Sequence, residues 1–436
     1  MHIVLLSGGS GKRLWPLSND IRSKQFLKIF PQVDGERLSM IQRVYRQIRS
    51  VDAAADITVA TSQAQVSTLR HQLGAGVDLS VEPCRRDTFP AIVLVSAYLH
   101  DVKHVAEDEV VAVCPVDPYV ERAYFVAVQE LMRLAAEGTA HLMLMGIEPT
   151  YPSEKYGYIL PTSSARVSRV ASFREKPDER TAEAYIAQGA LWNSGVFAYR
   201  LGYVIERAHA LLDFAGYDDL YAHYAELNKI SFDYAVVERE RSIGVLRYAG
   251  EWRDLGTWNT MTEIMEDHAV GNVTMDETCH NLHVINEMDV PVLCMGVNNA
   301  IVAASPEGIL VADKHQSSYL KPYVEQFHQQ VRFAEKSWGY FQVLDIEQES
   351  LTIKVTLNAG HGMHYHRHEH RDEMWTIVAG EGKALLDGTW RTVQAGDVLR
   401  LPCGMKHKLE AVTKLIAIEV QMGEDISVED KIRERP

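Results

Sequence analysis

From Met1 to about Met265 short apolar runs alternate with stretches of helical period, the rhythm of an α/β domain built on a largely parallel sheet. Ile57-Thr58-Val59-Ala60, Val110-Val111-Ala112-Val113 and Leu142-Met143-Leu144-Met145 read as buried strands. Ala91, Leu94, Val95, Tyr98, Leu99 and Val102 recur at helical spacing, which predicts a helix with that face on the sheet. From about Gly271 to Glu325 the helical period fades, and β-branched runs such as Val284-Ile285 and Ala300-Ile301-Val302 are separated by Asn, Asp and Gly turns, so a small β unit is expected. From about Phe333 onward, runs such as Leu351 to Leu357, Trp375 to Val378, Val398 to Leu401 and Leu415 to Val420 alternate with glycine turns, the pattern of a small antiparallel barrel. The expected division is therefore residues 1–268, 269–330 and 331–436. A chain of 436 residues is too long for one core and suits two or three domains.

Charge and cysteine usage narrow the class. Lys plus Arg is 44 against 59 for Asp plus Glu, a formal charge of −15, which argues against nucleic acid as a partner and requires any phosphate to be captured locally. Cys84, Cys114, Cys279, Cys294 and Cys403 are scattered, odd in number and form no C-x-x-C pair, so neither a disulfide framework nor a structural zinc site is expected. The run His2 to Leu6 is too short for a signal-peptide core, and no segment reaches 18 apolar residues. A cytoplasmic protein without membrane partners is the expectation; self-association into a homo-oligomer is compatible with the sequence.

The first apolar run leads directly into Ser7-Gly8-Gly9-Ser10-Gly11-Lys12-Arg13-Leu14, and a glycine-rich turn after a strand lets backbone N–H groups approach an anion. A P-loop needs Gly six positions before the Lys and Ser or Thr after it, where this chain has Leu6 and Arg13. The dinucleotide pattern fails too, since Leu14 stands where its third glycine belongs. The continuation Arg13-Leu14-Trp15-Pro16-Leu17-Ser18, then Lys24-Gln25-Phe26, resembles the sugar-1-phosphate nucleotidyltransferases, and among them the mannose-1-phosphate guanylyltransferases. That resemblance implies a Rossmann-like nucleotidyltransferase domain. It further implies a nucleotide site made by Leu6, Gly8, Gly9, Gly11, Lys12, Arg13 and Lys24, with Arg13 and Lys24 offsetting charge on the phosphates. Glu82-Pro83-Cys84-Arg85-Arg86-Asp87-Thr88-Phe89-Pro90-Ala91-Ile92 resembles the family's base-proximal loop, departing from it at Asp87 and Phe89, and adds Glu82 and Arg86 to the nucleotide site.

Asp117 closely follows a buried strand, where open α/β sheets place ligands, although a lone Asp there is more often a turn or capping residue. The family pattern P-x-D-H is matched by Pro115-Val116-Asp117-Pro118 without its His, and Asp254 in Trp252-Arg253-Asp254-Leu255-Gly256-Thr257-Trp258 resembles the family's D-V-G-S-W. The resemblance makes Asp117 and Asp254 the Mg²⁺ ligands, a number that suits an ion completing its octahedron with water and phosphate. It also implies a sugar-phosphate site in which Lys176 binds the phosphate, Glu175 and Asn193 contact hydroxyls and Gly157 allows close backbone approach. Arg13, Lys24, Asp117, Lys176 and Asp254 are the expected catalytic set.

His361, His364, His366, His368 and His370 lie within ten residues, and strand alternation would put the last four on one face. Gly360, His366, His368, Glu373 and Gly380 resemble the first cupin motif, and Gly396, Pro402, Gly404 and His407 the second. The resemblance implies a cupin β-barrel holding Zn, Fe, Mn or Ni through His366, His368, Glu373 and His407. The segment also resembles the cupin of bifunctional guanylyltransferase/phosphomannose isomerases, which makes His370 and Arg371 candidate isomerase residues. The sequence thus points to transfer of GMP from GTP to mannose 1-phosphate. Another hexose 1-phosphate or base, with a regulatory cupin, is the alternative.

Overall fold

The computed structural model describes residues 1–436 apart from 10, 11, 20, 32–34, 328–330, 425, 427–429, 435 and 436. The chain divides into two compact units, one of Met1–Ser10, Lys24–Val66 and Gly76–Gly256, the other of Gly11–Ser23, Ser67–Ala75 and Thr257–Pro436.

A nine-stranded sheet organises the first unit. From edge to edge its order is Asp78–Glu82, Asp56–Ser62, His2–Leu6, Val110–Pro115, Leu191–Arg200, Leu142–Ile147, Ile243–Tyr248, Val167–Arg174 and Tyr158–Pro161. The first four are parallel, with His2–Leu6 between Asp56–Ser62 and Val110–Pro115. The rest is mixed, which departs from the largely parallel sheet expected. Leu191–Arg200 runs antiparallel to both of its neighbours in that order. Tyr158–Pro161 and Val167–Arg174 are joined by residues 162–166 alone, far short of a parallel crossover, and so pair as a hairpin.

The predicted helix is Thr88–Ala97, continued by a wider turn over Tyr98–Val102. It is buried on every side from Phe89 to Ala97, not on one face. Leu201, Val204 and Ala208 of the helix Leu201–Leu211, together with Phe232 and Ala235, join the same core as Ile92, Val93 and Leu94.

In the second unit, Ala269–Val270, His283–Asn286 and Ala300–Ser305 stack in parallel, and Gly308–Asp313 closes their sheet antiparallel. Two antiparallel sheets follow. One has six strands in the order Phe333–Lys336, Gly339–Ile346, Ser350–Leu357, Leu415–Gly423, Arg371–Ala379 and Val398–Leu401. The other has five, Thr389–Gln394, Glu381–Leu386, His407–Ala411, His366–Arg367 and Ile432–Arg433. Val355, Leu357, Trp375, Ile377, Leu399 and Leu409 fill the core of this barrel. Among the described residues no helix is long and apolar enough to cross a membrane.

Candidate functional site

Parallel strands present their carboxyl ends along one edge, and at that edge of the first unit lies a cavity of about 280 Å³ lined by Leu6, Gly8, Gly9, Lys24, Glu82 and Asp117, among others. Local contacts explain the convergence. Buried Gln25 donates to the Ser7 carbonyl at 2.9 Å, tying the Lys24-Gln25-Phe26 turn to the glycine loop. A side chain at Gly8 would place its Cβ 3.2 Å from Glu82 Oε1, so glycine lets the loop approach that carboxylate. Tyr224 donates to Glu82 Oε2 at 2.7 Å. Burial pushes the Glu82 carboxyl up to about 7, against the pull of Tyr224 and Arg85.

Asp117 and Asp254 meet because Trp252–Asp254 pairs antiparallel with Pro118–Val120, in a register that sets Asp254 opposite Pro118. The Lys24 ammonium lies 2.8 Å from Asp117 Oδ2 and 3.9 Å from Asp254 Oδ1. Other expected residues stand elsewhere. Arg86 donates to the Ala225 carbonyl, and its neighbour Arg85 lines the cavity instead. Lys12 and Arg13 form a short 3₁₀ turn, Lys12–Leu14, counted with the second unit; Arg13 is exposed and neither residue lines the cavity. Gly11 lies outside the described residues.

The residues expected to hold the sugar phosphate share one hydrogen-bonded neighbourhood. Lys176, at a φ of 44° that side chains seldom adopt, places its ammonium 2.9 Å from the buried Glu175 carboxylate. At Gly157 a Cβ would lie 2.5 Å from Glu175 Oε2, so this glycine makes room for Glu175 rather than for a ring alone. The strand Leu191–Arg200 loses register between Asn193 and Phe197, with Gly195 at a φ of 73°, and Asn193, still paired with Gly146, stands at the edge of this bulge. Asn193 donates to Asp233 Oδ1 at 2.7 Å. Asp233 has no role in the sequence reading. Burial and the Glu175 charge raise its carboxyl to about 7.

In the barrel, His366, His368 and His407 are buried, and their ligand atoms lie within 4.8 Å of one another. Each Nδ1 faces a backbone carbonyl, His364 O at 2.7 Å, Asp430 O at 2.6 Å and Met405 O at 2.9 Å respectively. A carbonyl only accepts, so each ring is protonated on Nδ1 and keeps its Nε2 lone pair for a ligand role. Burial and the Lys431 charge push the His366 imidazole down to about 2, which keeps it neutral. Glu373 Oε1 is 2.9 Å from His368 Nε2, and His407 Nε2, buried without a hydrogen-bond partner, is 3.4 Å from Glu373 Oε2. These donors could hold a metal ion.

Alternation does not carry four histidines onto one face: the strand ends at Arg367, and His364 and His370 are exposed. Of the two expected isomerase residues, only Arg371 is buried at the cluster, its Nε 3.1 Å from Glu373 Oε1. Sequence reading also missed Glu419 and Lys431. Glu419 is buried, and burial with the Glu373 charge raises its carboxyl to about 8; Lys431 is exposed as a residue, but desolvation of its ammonium lowers it to about 8.

Residues 2–270 match the Nucleotidyl transferase family and residues 323–435 the family described as Mannose-6-phosphate isomerase C-terminal. Over 99% of this chain and 97% of its own length, the mannose-1-phosphate guanylyltransferase of Escherichia coli K12 is 30% identical. The chain belongs to the mannose-1-phosphate guanylyltransferase family. The Salmonella typhimurium relative is 29% identical over the same shares. A crystal structure described as mannose-1-phosphate geranyltransferase from Thermus thermophilus superposes with a TM-score of 0.61 and 29% identity, covering 74% of this chain and 98% of that one.

In this mannose-1-phosphate guanylyltransferase the departures from family motifs have visible structural places. Asp87 caps the helix Thr88–Ala97, its side chain accepting from Thr88 N, at a φ of 71°. Phe89 is buried in the core, and Pro118 begins the strand that pairs with Trp252–Asp254.

Proposed function

We propose that this guanylyltransferase joins GTP to mannose 1-phosphate. An oxygen of the sugar phosphate attacks the α-phosphorus in line, the bond from that phosphorus to pyrophosphate breaks, and GDP-mannose and pyrophosphate leave. The observation carrying this reading is the Lys24 ammonium shared by Asp117 and Asp254 beside a glycine-loop cavity. Two convergent carboxylates around one cation suit a divalent ion, so Asp117 and Asp254 would hold Mg²⁺, which when bound offsets charge on the phosphate oxygens. Gly8 and Gly9 give the phosphates backbone N–H donors, and Lys24 supplies a fixed positive charge. Glu82, facing the cavity, accepts from the N1–H and N2 amino groups of guanine. Lys176 anchors the sugar phosphate, while Glu175, Asn193 and Asp233 read hydroxyls.

In this reading residues 1–268, 269–330 and 331–436 are the transferase, a connecting β unit and the cupin, and the substrates and the five free thiols suit the cytoplasm. Pyrophosphate release measured over GTP, ATP, UTP and dTTP with mannose, glucose and galactose 1-phosphates tests it. The fastest turnover is expected with GTP and mannose 1-phosphate, and preference for another pair would overturn it.

The buried histidine cluster favours a second reading for the cupin, interconversion of mannose 6-phosphate and fructose 6-phosphate. His366, His368, Glu373 and His407 would hold Zn, Fe, Mn or Ni, which polarises a carbonyl oxygen when bound. Arg371 steadies Glu373. Full metal content without interconversion would leave the barrel a binding module.

A further inference from the structure

The segment from Asp430 to Glu434 lies across the histidine cluster, and we propose that Asp430 is a positioning residue for the metal ligand His368. This rests on reading His366, His368, Glu373 and His407 as the ligand set.

The three histidines are not oriented in the same way. His366 and His407 each face the carbonyl of a residue two positions earlier, His364 and Met405, so their rings are set locally. His368 instead faces the carbonyl of Asp430, at 2.6 Å, from a distant part of the chain. The same residue holds the turn after His368. Its Oδ1 accepts from Glu369 N at 2.8 Å and its Oδ2 from His370 N at 3.3 Å. Asp430 is buried, so these bonds are shielded from water. One residue therefore fixes both the ring that ligates and the backbone that carries it.

The rest of the segment is anchored to the barrel. Ile432 and Arg433 pair with Arg367 and His366, and Glu434 N donates to the Tyr365 carbonyl at 2.9 Å. The Glu434 carboxylate meets Arg367 Nε at 2.9 Å and Lys406 Nζ at 3.1 Å. A ligating histidine whose second nitrogen donates to a fixed acceptor is locked in one tautomer and one orientation. The carbonyl facing His368 belongs to the main chain and survives substitution, so the Asp430 carboxylate acts through the turn. Without it the Glu369 and His370 amides lose their acceptor, the carbonyl of residue 430 and the ring are no longer held in register, and Nε2 leaves the cluster for part of the time.

The test uses the full chain, stripped with a chelator and titrated with Zn²⁺ against a chromophoric competitor, alongside ¹⁵N NMR of the histidine side chains. Asp430→Ala should weaken Zn²⁺ binding by about 10–100-fold. His368, whose carbonyl acceptor at residue 430 is then no longer held in place by the turn, should show exchange-broadened side-chain ¹⁵N signals instead of a single Nδ1-protonated tautomer. Asp430→Asn, which retains one acceptor oxygen, should fall between. If Asp430→Ala does not show a native melting transition, Asp430→Asn decides by the same two readouts. His407→Ala separates the two ideas. Unchanged zinc binding in His407→Ala overturns the ligand set, whereas loss there with unchanged binding and tautomer in the Asp430 variants overturns the positioning role alone.

Discussion

Lys24 Nζ stands 2.8 Å from Asp117 Oδ2, and the same ammonium is 3.9 Å from Asp254 Oδ1. The lysine's positive charge offsets the repulsion between the two converging carboxylates. The convergence is made by backbone pairing, since Asp254 faces Pro118 across a two-stranded ribbon and Asp117 directly precedes that ribbon. The pair is therefore set before substrate arrives, and the lysine holds it together.

Asp117→Asn and Asp254→Asn should each lower kcat for transfer by at least about 100-fold, because a cation that loses one anionic ligand gives up several kcal/mol of charge stabilisation. Circular dichroism should be unchanged, the substitutions being isosteric and both side chains partly exposed. Near-normal turnover in either variant would remove that residue from the site.

Glu82 gives the site a pH dependence. Its carboxyl is raised to about 7 by burial, so below that pH it is mostly protonated and could not accept from both guanine donors as proposed. The Michaelis constant for GTP should rise as pH falls from 8 to 6, and Glu82→Gln should lose both this dependence and much of the preference for GTP over ATP. Stability runs in the opposite direction. A folded value above the unfolded one means that ionisation destabilises the fold, fully above pH 7 and progressively less as pH falls toward 4.5. Glu82→Gln should thus be the more stable protein at pH 8, by up to about 3 kcal/mol, and lose that advantage near pH 5. An unchanged stability difference between pH 8 and pH 5 would place the titration elsewhere.

Much of the fold was legible because the buried strands are continuous apolar runs: Ile57 to Ala60, Val110 to Val113 and Leu142 to Met145 all fall inside observed strands. Direction was not, since a strand such as Leu191 to Arg200 carries no mark of its direction, and its antiparallel place depends on connections elsewhere. Side-chain aim was equally hidden. Arg85 and Arg86 are neighbours in sequence, yet one lines the cavity and the other reaches Ala225. Alternation across His364 to His370 assumed an unbroken strand, whereas the amides of Glu369 and His370 are taken by Asp430 and leave the ladder. No local pattern can signal a partner some sixty residues away.

Lys176→Ala should raise the Michaelis constant for the sugar phosphate by roughly 10- to 100-fold, the range for losing a hydrogen bond to a charged group, with a smaller effect on kcat. The reason is that the phosphate it is proposed to hold is present in both ground and transition states. Steady-state kinetics with mannose 1-phosphate decide the matter, and an unchanged constant would detach Lys176 from substrate.

Transfer and cupin chemistry should separate in His368→Ala. His366, His368 and His407 lie in the second unit, whereas every residue lining the glycine-loop cavity belongs to the first. With one of four donors gone, the remaining three must hold the ion with water in the vacant position, and affinity should fall steeply. Glu373 Oε1 would also lose its 2.9 Å partner and be left to Arg371, which pulls the carboxylate away from the ion. Interconversion of the two hexose 6-phosphates should therefore vanish together with bound metal, while pyrophosphate release from GTP and mannose 1-phosphate stays within about twofold of the parent, because the Mg²⁺ proposed there would be held by Asp117 and Asp254. Metal analysis and both assays on one preparation test this. Full metal content would refute His368 as a ligand, and collapse of transfer in a variant that melts normally would show that the barrel regulates the transferase.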